Sequence, residues 1–232
     1  MSGSNENSRW FPVKKLMGSH NVLLGRHLSY QFLNSPRRLL HMMSYYKFAA
    51  KIIGNKKKVL DVGCGEGLGT WLLAAECGRA YGIDIDAEAV ETGKRNWKGP
   101  GIRLDCGDFL SLNLRQHDAV VSFDVLEHVL PGNTDKFMRK ITECLSADGV
   151  AVMGTPNITS DRYASPVTKA GHVNLYSGER LENQMKRYFT QVLMFGANDE
   201  VVHTGFQPMV HYLIAVGCRK RGECLLPKRP RP

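Results

Sequence analysis

Short apolar runs alternate with amphipathic segments along most of this chain, and the alternation becomes regular from Val59 onward. Apolar runs bounded by turn residues predict buried strands, whereas apolar positions recurring every three or four residues predict helices. The predicted strands are 59–62, 80–83, 102–104, 118–122, 149–153, 191–195 and 211–216, and the predicted helices 37–53, 71–77, 87–97, 136–145 and 181–189. This order predicts a doubly wound α/β fold with a mostly parallel sheet and a C-terminal hairpin.

The N-terminal part of the chain has a different character. Residues 1–20 show no periodic pattern and are expected to be loosely ordered, with residues 10–12 (Trp-Phe-Pro) as the first anchor. The pair Ser35-Pro36 is typical of a helix start. The segment 37–53 then places apolar residues at helical spacing, which predicts an amphipathic helix.

Length and composition indicate an ordinary globular protein. With 232 residues, of which 43% are hydrophobic and 23% charged, the chain suits one domain with a sizeable core. No apolar run approaches the ~18 residues of a membrane span, and the polar N-terminus lacks a signal peptide's apolar segment, so a cytoplasmic location is expected. The six cysteines form no metal-ligand spacing, which indicates free thiols in a reducing compartment. The oligomeric state is left open.

The net charge of +9 is distributed unevenly. Residues 1–58 carry a net charge of +10 and residues 218–232 one of +5, whereas the segment between them carries −6. We therefore predict a basic arm and helical cap (1–55), a central domain (56–217) and a basic tail (218–232) that is expected to be disordered. Basic flanks can hold nucleic acid, a membrane surface or a phosphorylated substrate, or they can be solvated surface.

A glycine-rich turn follows the first predicted strand, and a helical segment follows the turn. Its glycines are Gly63, Gly65 and Gly67, with Asp61 two residues before the first of them. Glycines let a backbone turn sharply and approach a ligand closely, as in nucleotide-binding βαβ units. A dinucleotide fingerprint needs glycine at its first, third and sixth positions, and that spacing fails from either Gly63 or Gly65.

The turn resembles motif I of the class I S-adenosylmethionine-dependent methyltransferases, in which an acidic residue precedes three alternating glycines. Further segments resemble later motifs of this family, and of its small-molecule type, in the expected order: 81–86, 107–109, 118–128, 145–157 and 171–181. The resemblance covers residues 56–217. It implies a seven-stranded, mostly parallel Rossmann-like sheet with one reversed strand near its edge, to which the chain would add an N-terminal helical cap.

The resemblance also implies a set of cofactor contacts for S-adenosylmethionine and its product S-adenosylhomocysteine. Asp84 ends the second predicted strand, where cofactors with a free ribose need a carboxylate for the hydroxyls. Asp108 is expected at the adenine amine, and Phe123 and Asp124 at the methionine portion. The full expected set is Asp61, Gly63, Gly65, Gly67, Asp84, Ile85, Gly107, Asp108, Phe109, Phe123, Asp124 and His128.

Two histidines are the candidates for catalysis. His172 lies in a long polar loop, residues 157–177, which also holds Tyr163 and Tyr176 and is expected to border the acceptor pocket. Histidine can accept a hydroxyl proton near neutral pH without a shifted pKa, so His172 is the preferred base. His128 is expected against the methionine end of the cofactor.

A metal site is the alternative to these roles. Asp124, Glu127 and His128 would share one face of a helix, and some ubiquinone-biosynthesis O-methyltransferases have metal-binding residues at matching positions. The interpretation of His128 as a residue that lines or packs under the cofactor pocket is preferred, so no metal is assigned.

The predicted function is methyl transfer to a hydroxyl, ahead of an amine, of a small metabolite, a sugar or a lipid-linked precursor. One alternative is an RNA or other nucleic-acid methyltransferase that uses the basic flanks. The other is a non-catalytic S-adenosylmethionine-binding module. The sequence lacks the Asn/Asp-Pro-Pro-Tyr/Phe motif for base amines and the Pro-Cys pair for attack on pyrimidine carbons, so nucleic acid is the less favoured acceptor.

Overall fold

A computed structural model describes residues 6–55 and 57–222. In these ranges eight strands form one sheet in the order β3-β2-β1-β4-β5-β8-β6-β7. The strands are β1 (Lys57–Val62), β2 (Gly78–Asp84), β3 (Ile102–Cys106), β4 (His117–Phe123), β5 (Leu145–Pro156), β6 (Phe189–Asn198), β7 (Val201–His203) and β8 (Tyr212–Lys220). The pairs among β1 to β5 are parallel, whereas β8 is antiparallel to both β5 and β6.

Helices cover the sheet and precede it in the chain. They are α1 (Glu6–Met17), α2 (Arg26–Asn34), α3 (Arg37–Ile53), α4 (Leu68–Cys77), α5 (Ala87–Asn96), α6 (Thr134–Glu143), α7 (Pro166–Gly171) and α8 (Gly178–Lys186). Short 3-10 segments occupy Leu126–His128, Pro131–Asn133, Ile158–Tyr163 and Gln207–Met209. None of these helices combines the length and the apolar composition that crossing a bilayer requires.

The central strand β4 shows how the core is divided between the two faces of the sheet. Ala119 and Val121 are buried with side chains of α3 and α4, whereas Val120 is buried with side chains of α6 and α8. Successive side chains of a strand point to opposite faces, so a strand covered on both sides is apolar throughout. The doubly wound α/β fold predicted from the sequence is confirmed.

The structure departs from the sequence prediction at the sheet edge and at the C-terminus. The sheet has eight strands rather than seven because β7 adds three residues beside β6, and a strand that short leaves no periodic pattern. Strand β8 continues to Lys220, three residues past the boundary predicted for a disordered tail. The rest of that prediction, residues 223–232, lies outside the described residues.

The N-terminal prediction is partly wrong. Helix α3 begins and ends where the sequence predicts, but α1 and α2 were not anticipated. Trp10 and Phe11, the predicted anchor, are 58% and 71% exposed. A close contact between the cap and the domain lies instead in α3, where the ring of Tyr46 packs on Gly69 of α4 so closely that a side-chain carbon there would collide.

Candidate functional site

A cavity of about 930 Å³ lies at the carboxyl ends of the parallel strands. Its walls come from the turns after β1, β2, β3 and β4, from helices α2 and α3, and from the loop between β5 and α8. The volume is near the upper end of the ~300–1,000 Å³ range of ligand cavities. One opening therefore combines the glycine turn, the N-terminal cap and the long polar loop.

The glycine turn gives the cavity its floor. Gly63 and Gly65 have φ angles of 81° and 51°, a left-handed conformation that favours glycine. The backbone N–H of Gly65 donates to Asp84 Oδ2 at 2.8 Å, which ties the turn to the end of β2. A side-chain carbon added at Gly65 would meet nothing within 4 Å. Gly65 lines the cavity, so a ligand can approach its backbone.

Asp61 does not line this cavity, which corrects its prediction as a direct cofactor contact. The side chain is fully buried beneath the turn, where it accepts hydrogen bonds from the hydroxyls of Thr70 at 2.6 Å and Tyr46 at 3.1 Å. Burial raises the pKa of Asp61 to about 7, against the lowering effect of both hydroxyls. Asp61 thus joins the cap, β1 and α4 below the site.

The shifted pKa of Asp61 predicts a pH-dependent difference between the wild type and Asp61→Asn. Because the folded pKa of about 7 lies above the ordinary one, the protonated carboxyl stabilises the fold at low pH. That contribution is lost as pH rises toward 7, by up to about 1.4 kcal/mol per pH unit. Urea unfolding at pH 5, 6, 7 and 8 should show the stability of the wild type falling relative to that of the variant up to pH 7 and then levelling. A constant difference would contradict the assignment.

The predicted ribose and adenine residues line the cavity together. Asp84 accepts one backbone N–H at each carboxylate oxygen, from Gly65 and from Asp86 at 2.9 Å, so each oxygen keeps a lone pair for a ligand. Ile85 is 76% exposed on the rim. The next turn also lines the cavity, and it includes the predicted residues Gly107, Asp108 and Phe109.

Asp124 has an unusual backbone and two tyrosine partners at the end of β4. Its φ is 55°. Positive φ values are uncommon for residues other than glycine, and where they occur they are often found at functional sites. Its carboxylate accepts from Tyr45 OH at 2.6 Å, and its backbone N–H donates to Tyr212 OH at 3.2 Å. The two tyrosine rings stack at 4.6 Å. Asp124 and its neighbour Phe123 both line the cavity, as predicted residues of the donor end.

The two candidate histidines are neighbours although 44 positions separate them in the sequence. The ring centroids of His128 and His172 are 5.1 Å apart, and His128 Nδ1 lies 2.8 Å from the carbonyl oxygen of Gly171. Burial, and then the adjacent His128, lower the pKa of His172. A lowered pKa leaves His172 neutral at pH 7 and therefore able to accept a proton.

A possible metal-binding group differs from the one considered in the sequence. Glu127, His128 and His172 offer ligand atoms within 4.8 Å of one another, whereas Asp124 is not among them. Glu127 accepts from Thr155 at 2.9 Å, and burial and then the charge of Asp124 raise the pKa of Glu127 to about 8. One carboxyl and two imidazoles are three ligand groups of the kinds that bind zinc, and a bound cation would favour the ionised form of Glu127. The mechanism below concerns only what the chain's own residues do.

Several side chains at the site differ from the sequence prediction. Tyr176, expected at the acceptor pocket, is fully buried in the core and does not line the cavity, whereas Tyr163 does. Tyr45, Tyr212 and His41 line the cavity but were not predicted. Tyr45 and His41 lie inside the amphipathic helix α3, where the sequence does not distinguish them from ordinary surface or core residues. No motif includes them, so the sequence carries no signal for their role.

His41 presents an unpaired nitrogen at the cavity wall. Its ring meets those of Tyr45 and Tyr212 edge-on at 5.3 and 5.4 Å. Its Nε2 is buried without a hydrogen-bond partner among the described residues, and burial lowers the pKa of His41. A buried polar atom of this kind calls for a ligand or water. The Nε2 of His41 is therefore available to a bound molecule.

Comparison with known proteins yields a family match over the first half of the sheet and its flanking turns. A family model described as "Methyltransferase domain" matches residues 59–149. The chain is 28% identical over 125 residues to the ubiquinone biosynthesis O-methyltransferase of Rickettsia akari, covering 51% of this chain and 48% of that protein. It is 31% identical over 119 residues to a probable S-adenosylmethionine-dependent methyltransferase of Mycolicibacterium smegmatis, covering 50% and 44%. The chain thus spans about half the length of the curated relatives it matches.

Solved structures match over a longer part of the chain. The N-methyltransferase NodS from Bradyrhizobium japonicum WM9, in complex with S-adenosyl-L-homocysteine, has a TM-score of 0.61 at 18% identity and covers 82% of this chain and 91% of that one. The TehB-like SAM-dependent methyltransferase from Corynebacterium glutamicum has a TM-score of 0.60 at 20% identity, covering 76% and 88%. At these identities the likeness establishes the fold.

Proposed function

We propose that this chain, which carries a methyltransferase domain of the class I S-adenosylmethionine-dependent fold, transfers a methyl group to a hydroxyl of a small molecule. One observation supports the proposal above the others. A single cavity joins the glycine turn and Asp84, which suit the nucleoside part of the cofactor, to Asp124, His128 and His172, which suit a reaction. A sugar or a lipid-linked precursor fits the same chemistry.

The cofactor assignment follows from the turns around the floor of the cavity. Asp84 would accept from the ribose hydroxyls, and Asp108 from the adenine amine. Gly63, Gly65 and Gly67 would let the backbone approach the ligand, with α4 beginning directly after them. The donor end would lie against Phe123, Asp124 and His128. Asp61 would act from below the turn, through the hydroxyls it binds.

The proposed mechanism assigns alignment and proton transfer to the chain's own residues. When bound, S-adenosylmethionine would supply an electrophilic methyl group on a sulfonium sulfur, and the neutral thioether of S-adenosylhomocysteine would be the leaving group. The cavity walls hold the acceptor oxygen in line with the methyl carbon and exclude water. His172 accepts the hydroxyl proton at an imidazole nitrogen, and His128 orients the loop of His172 through its bond to Gly171 O.

The proteins that resemble this chain include both oxygen and nitrogen methyltransferases. The Rickettsia akari protein is named for an O-methyltransferase activity and NodS for an N-methyltransferase activity. A neutral His172, with the unpaired Nε2 of His41 in the wall of the same cavity, suits an uncharged hydroxyl that must lose a proton. An amine needs no base once it is neutral. We therefore place the hydroxyl first and keep the amine as the alternative acceptor.

Nucleic acid is the second candidate acceptor, favoured by the basic N-terminal segment of net charge +10. A chain that binds RNA through its phosphates should lose affinity steeply between ~50 and 200 mM salt. A single-stranded RNA oligonucleotide in a fluorescence-anisotropy titration separates the two proposals. Weak binding with a flat salt dependence would leave the basic segment without a nucleic-acid role. A non-catalytic binding module would instead bind the cofactor and turn over no acceptor.

The first test of the proposal is calorimetric titration of the folded chain with S-adenosylhomocysteine. We expect saturable binding at one site, with NAD binding more weakly, because the glycine spacing fails the dinucleotide fingerprint. A titration with adenosine would show how much of the affinity the nucleoside part carries. Absence of S-adenosylhomocysteine binding, or tighter binding of NAD, would overturn the proposal.

A further inference from the structure

One side chain of the glycine turn reaches up into the N-terminal cap. Glu66, between Gly65 and Gly67, is only 4% exposed. Its carboxylate oxygen Oε1 accepts from the backbone N–H of His27 at 2.8 Å and of Leu28 at 3.4 Å. These amides belong to the first turn of α2, where N–H groups have no partner within the helix, and a carboxylate suits this positive end.

The contact between Glu66 and α2 is closely packed on the side of the glycine turn and on the side of the cap. The carbonyl oxygen of Glu66 accepts from the indole Nε1 of Trp97 at 2.8 Å, which fixes its backbone against the segment after α5. On the cap side, a methyl group added at Gly25 would lie 2.6 Å from Glu66 Oε1 and 2.9 Å from its Cδ. The start of α2 therefore rests directly on the Glu66 carboxylate.

Among the described residues, two other polar contacts join the start of α2 and the residues just before it to the domain, and both are exposed. Arg26 pairs with Glu88 at 2.9 Å, with side chains 77% and 64% exposed, and such pairs contribute little. The backbone of Leu23 exchanges hydrogen bonds of 3.1 and 2.7 Å with the Asn96 amide. Among these contacts, the one from Glu66 is buried and charged, so it should contribute most to holding α2 down.

Helix α2 forms part of the cavity roof. His27, Leu28 and Gln31 line the same cavity as the glycine turn and Asp84. We propose that Glu66 is a positioning residue that latches α2 over the bound cofactor, and that exchange of cofactor and product requires α2 to leave this carboxylate. The inference rests on the proposed function, because it takes the occupant of the cavity to be S-adenosylmethionine or its product.

The proposed latch predicts that two substitutions distant in the sequence, one on each side of the contact, have the same effect. Glu66→Ala removes the carboxylate from the turn, and Gly25→Ala displaces it from the cap side. Each should raise the dissociation rate of S-adenosylhomocysteine about 10-fold or more, the scale of a lost hydrogen bond to a charged group. The double variant should be no worse than Glu66→Ala alone, because the shortened side chain at position 66 leaves nothing for the added methyl group at position 25 to strike. Glu66→Gln keeps an acceptor oxygen, so its dissociation rate for S-adenosylhomocysteine should lie close to that of the wild type.

Hydrogen exchange of the full chain separates a latch from a local defect in the turn. Peptides covering residues 24–34 should be protected by S-adenosylhomocysteine in the wild type and less so in Glu66→Ala and Gly25→Ala. The matched control is Glu88→Gln, which removes the exposed pair with Arg26 in the same region and should change neither measurement. Faster release with unchanged α2 protection would overturn the latch, as would release within twofold of the wild type.

Failure of the two proposals can be told apart. If S-adenosylhomocysteine does not bind the wild type, the proposed function fails. The latch is then still tested by exchange in the unliganded protein, where Glu66→Ala should expose the His27 and Leu28 amides and Glu88→Gln should not. Equal exchange in all three proteins would refute it.

Discussion

Replacing His172 by alanine is expected to lower the rate of methyl transfer about 10²- to 10⁴-fold, the usual contribution of a general base. The affinity for S-adenosylhomocysteine should stay nearly unchanged, because the proposed role of His172 is toward the acceptor and not toward the cofactor. The measurement is single-turnover transfer to any acceptor that the wild type methylates, with calorimetric titration of the product in parallel.

The pH profile supplies a second readout for His172. Because burial and the adjacent His128 lower the pKa of His172, the rate should be constant at neutral pH. It should fall only at a pH below the ordinary pKa of an imidazole, where His172 gains a proton. His172→Ala should lose this acidic limb together with the rate.

Two other histidines serve as comparisons for His172. His203 lies in β7, where its Nδ1 accepts from Gly205 at 2.9 Å, and His203→Ala should leave transfer unchanged. His128→Ala should weaken cofactor binding as well as transfer. If His172→Ala keeps full turnover from pH 6 to 9, the acceptor is an amine or an already ionised group, and the base assignment is wrong.

Replacing Asp84 by alanine is expected to weaken binding of S-adenosylhomocysteine by about 1.5–3 kcal/mol, which is roughly 10- to 150-fold in Kd. The carboxylate would lose its bonds to the ribose hydroxyls. The backbone N–H of Gly65, which donates to Asp84 Oδ2 at 2.8 Å, would also lose its acceptor. Calorimetric titration measures the effect, and the affinity of Asp84→Asn should fall between those of the wild type and Asp84→Ala because one oxygen remains.

Asp86 provides the matched control for Asp84. It is an acid two residues away whose carboxylate caps α5 by accepting from Glu88 and Ala89 at 2.9 and 3.2 Å. Asp86→Ala should cost about 1 kcal/mol of folding stability and leave the Kd for S-adenosylhomocysteine within about twofold. Equal losses of affinity in the two variants would show that any acid in this turn acts through folding, and the ribose role of Asp84 would be withdrawn.

Most of the fold, and the position of the proposed ribose and adenine residues at one edge of the sheet, could be predicted because both depend on local sequence. Strand β1, the glycine turn and α4 are contiguous, and a parallel sheet brings the carboxyl ends of its strands to one edge. Asp84, Asp108 and Asp124 each follow a predicted strand, so their meeting at one cavity followed from the order of elements alone. The helix from Arg37 to Ile53 was similarly fixed by its own periodicity.

The tertiary structure decided which side chains face the cavity and which lie beneath it. Asp61 was expected at the cofactor, but the Tyr46 and Thr70 hydroxyls draw it into the core. Tyr176 was expected at the acceptor, but it is buried between other elements. Neither outcome has a sequence signature, because a polar residue at a strand end or in a loop can face either way until its partners are placed.

The sequence by itself therefore determined the alternation of strands and helices and the glycine turn, and its family resemblance indicated the chemistry that they suit. Only the tertiary structure brought Tyr45 of α3 and Tyr212 of β8 to Asp124, placed His128 beside His172, and laid α2 on Glu66. These contacts join residues 39 to 88 positions apart. Periodicity reports which face of an element is buried, but it does not report which distant element covers that face. These parts of the cavity wall are built from contacts between elements that are distant in the sequence.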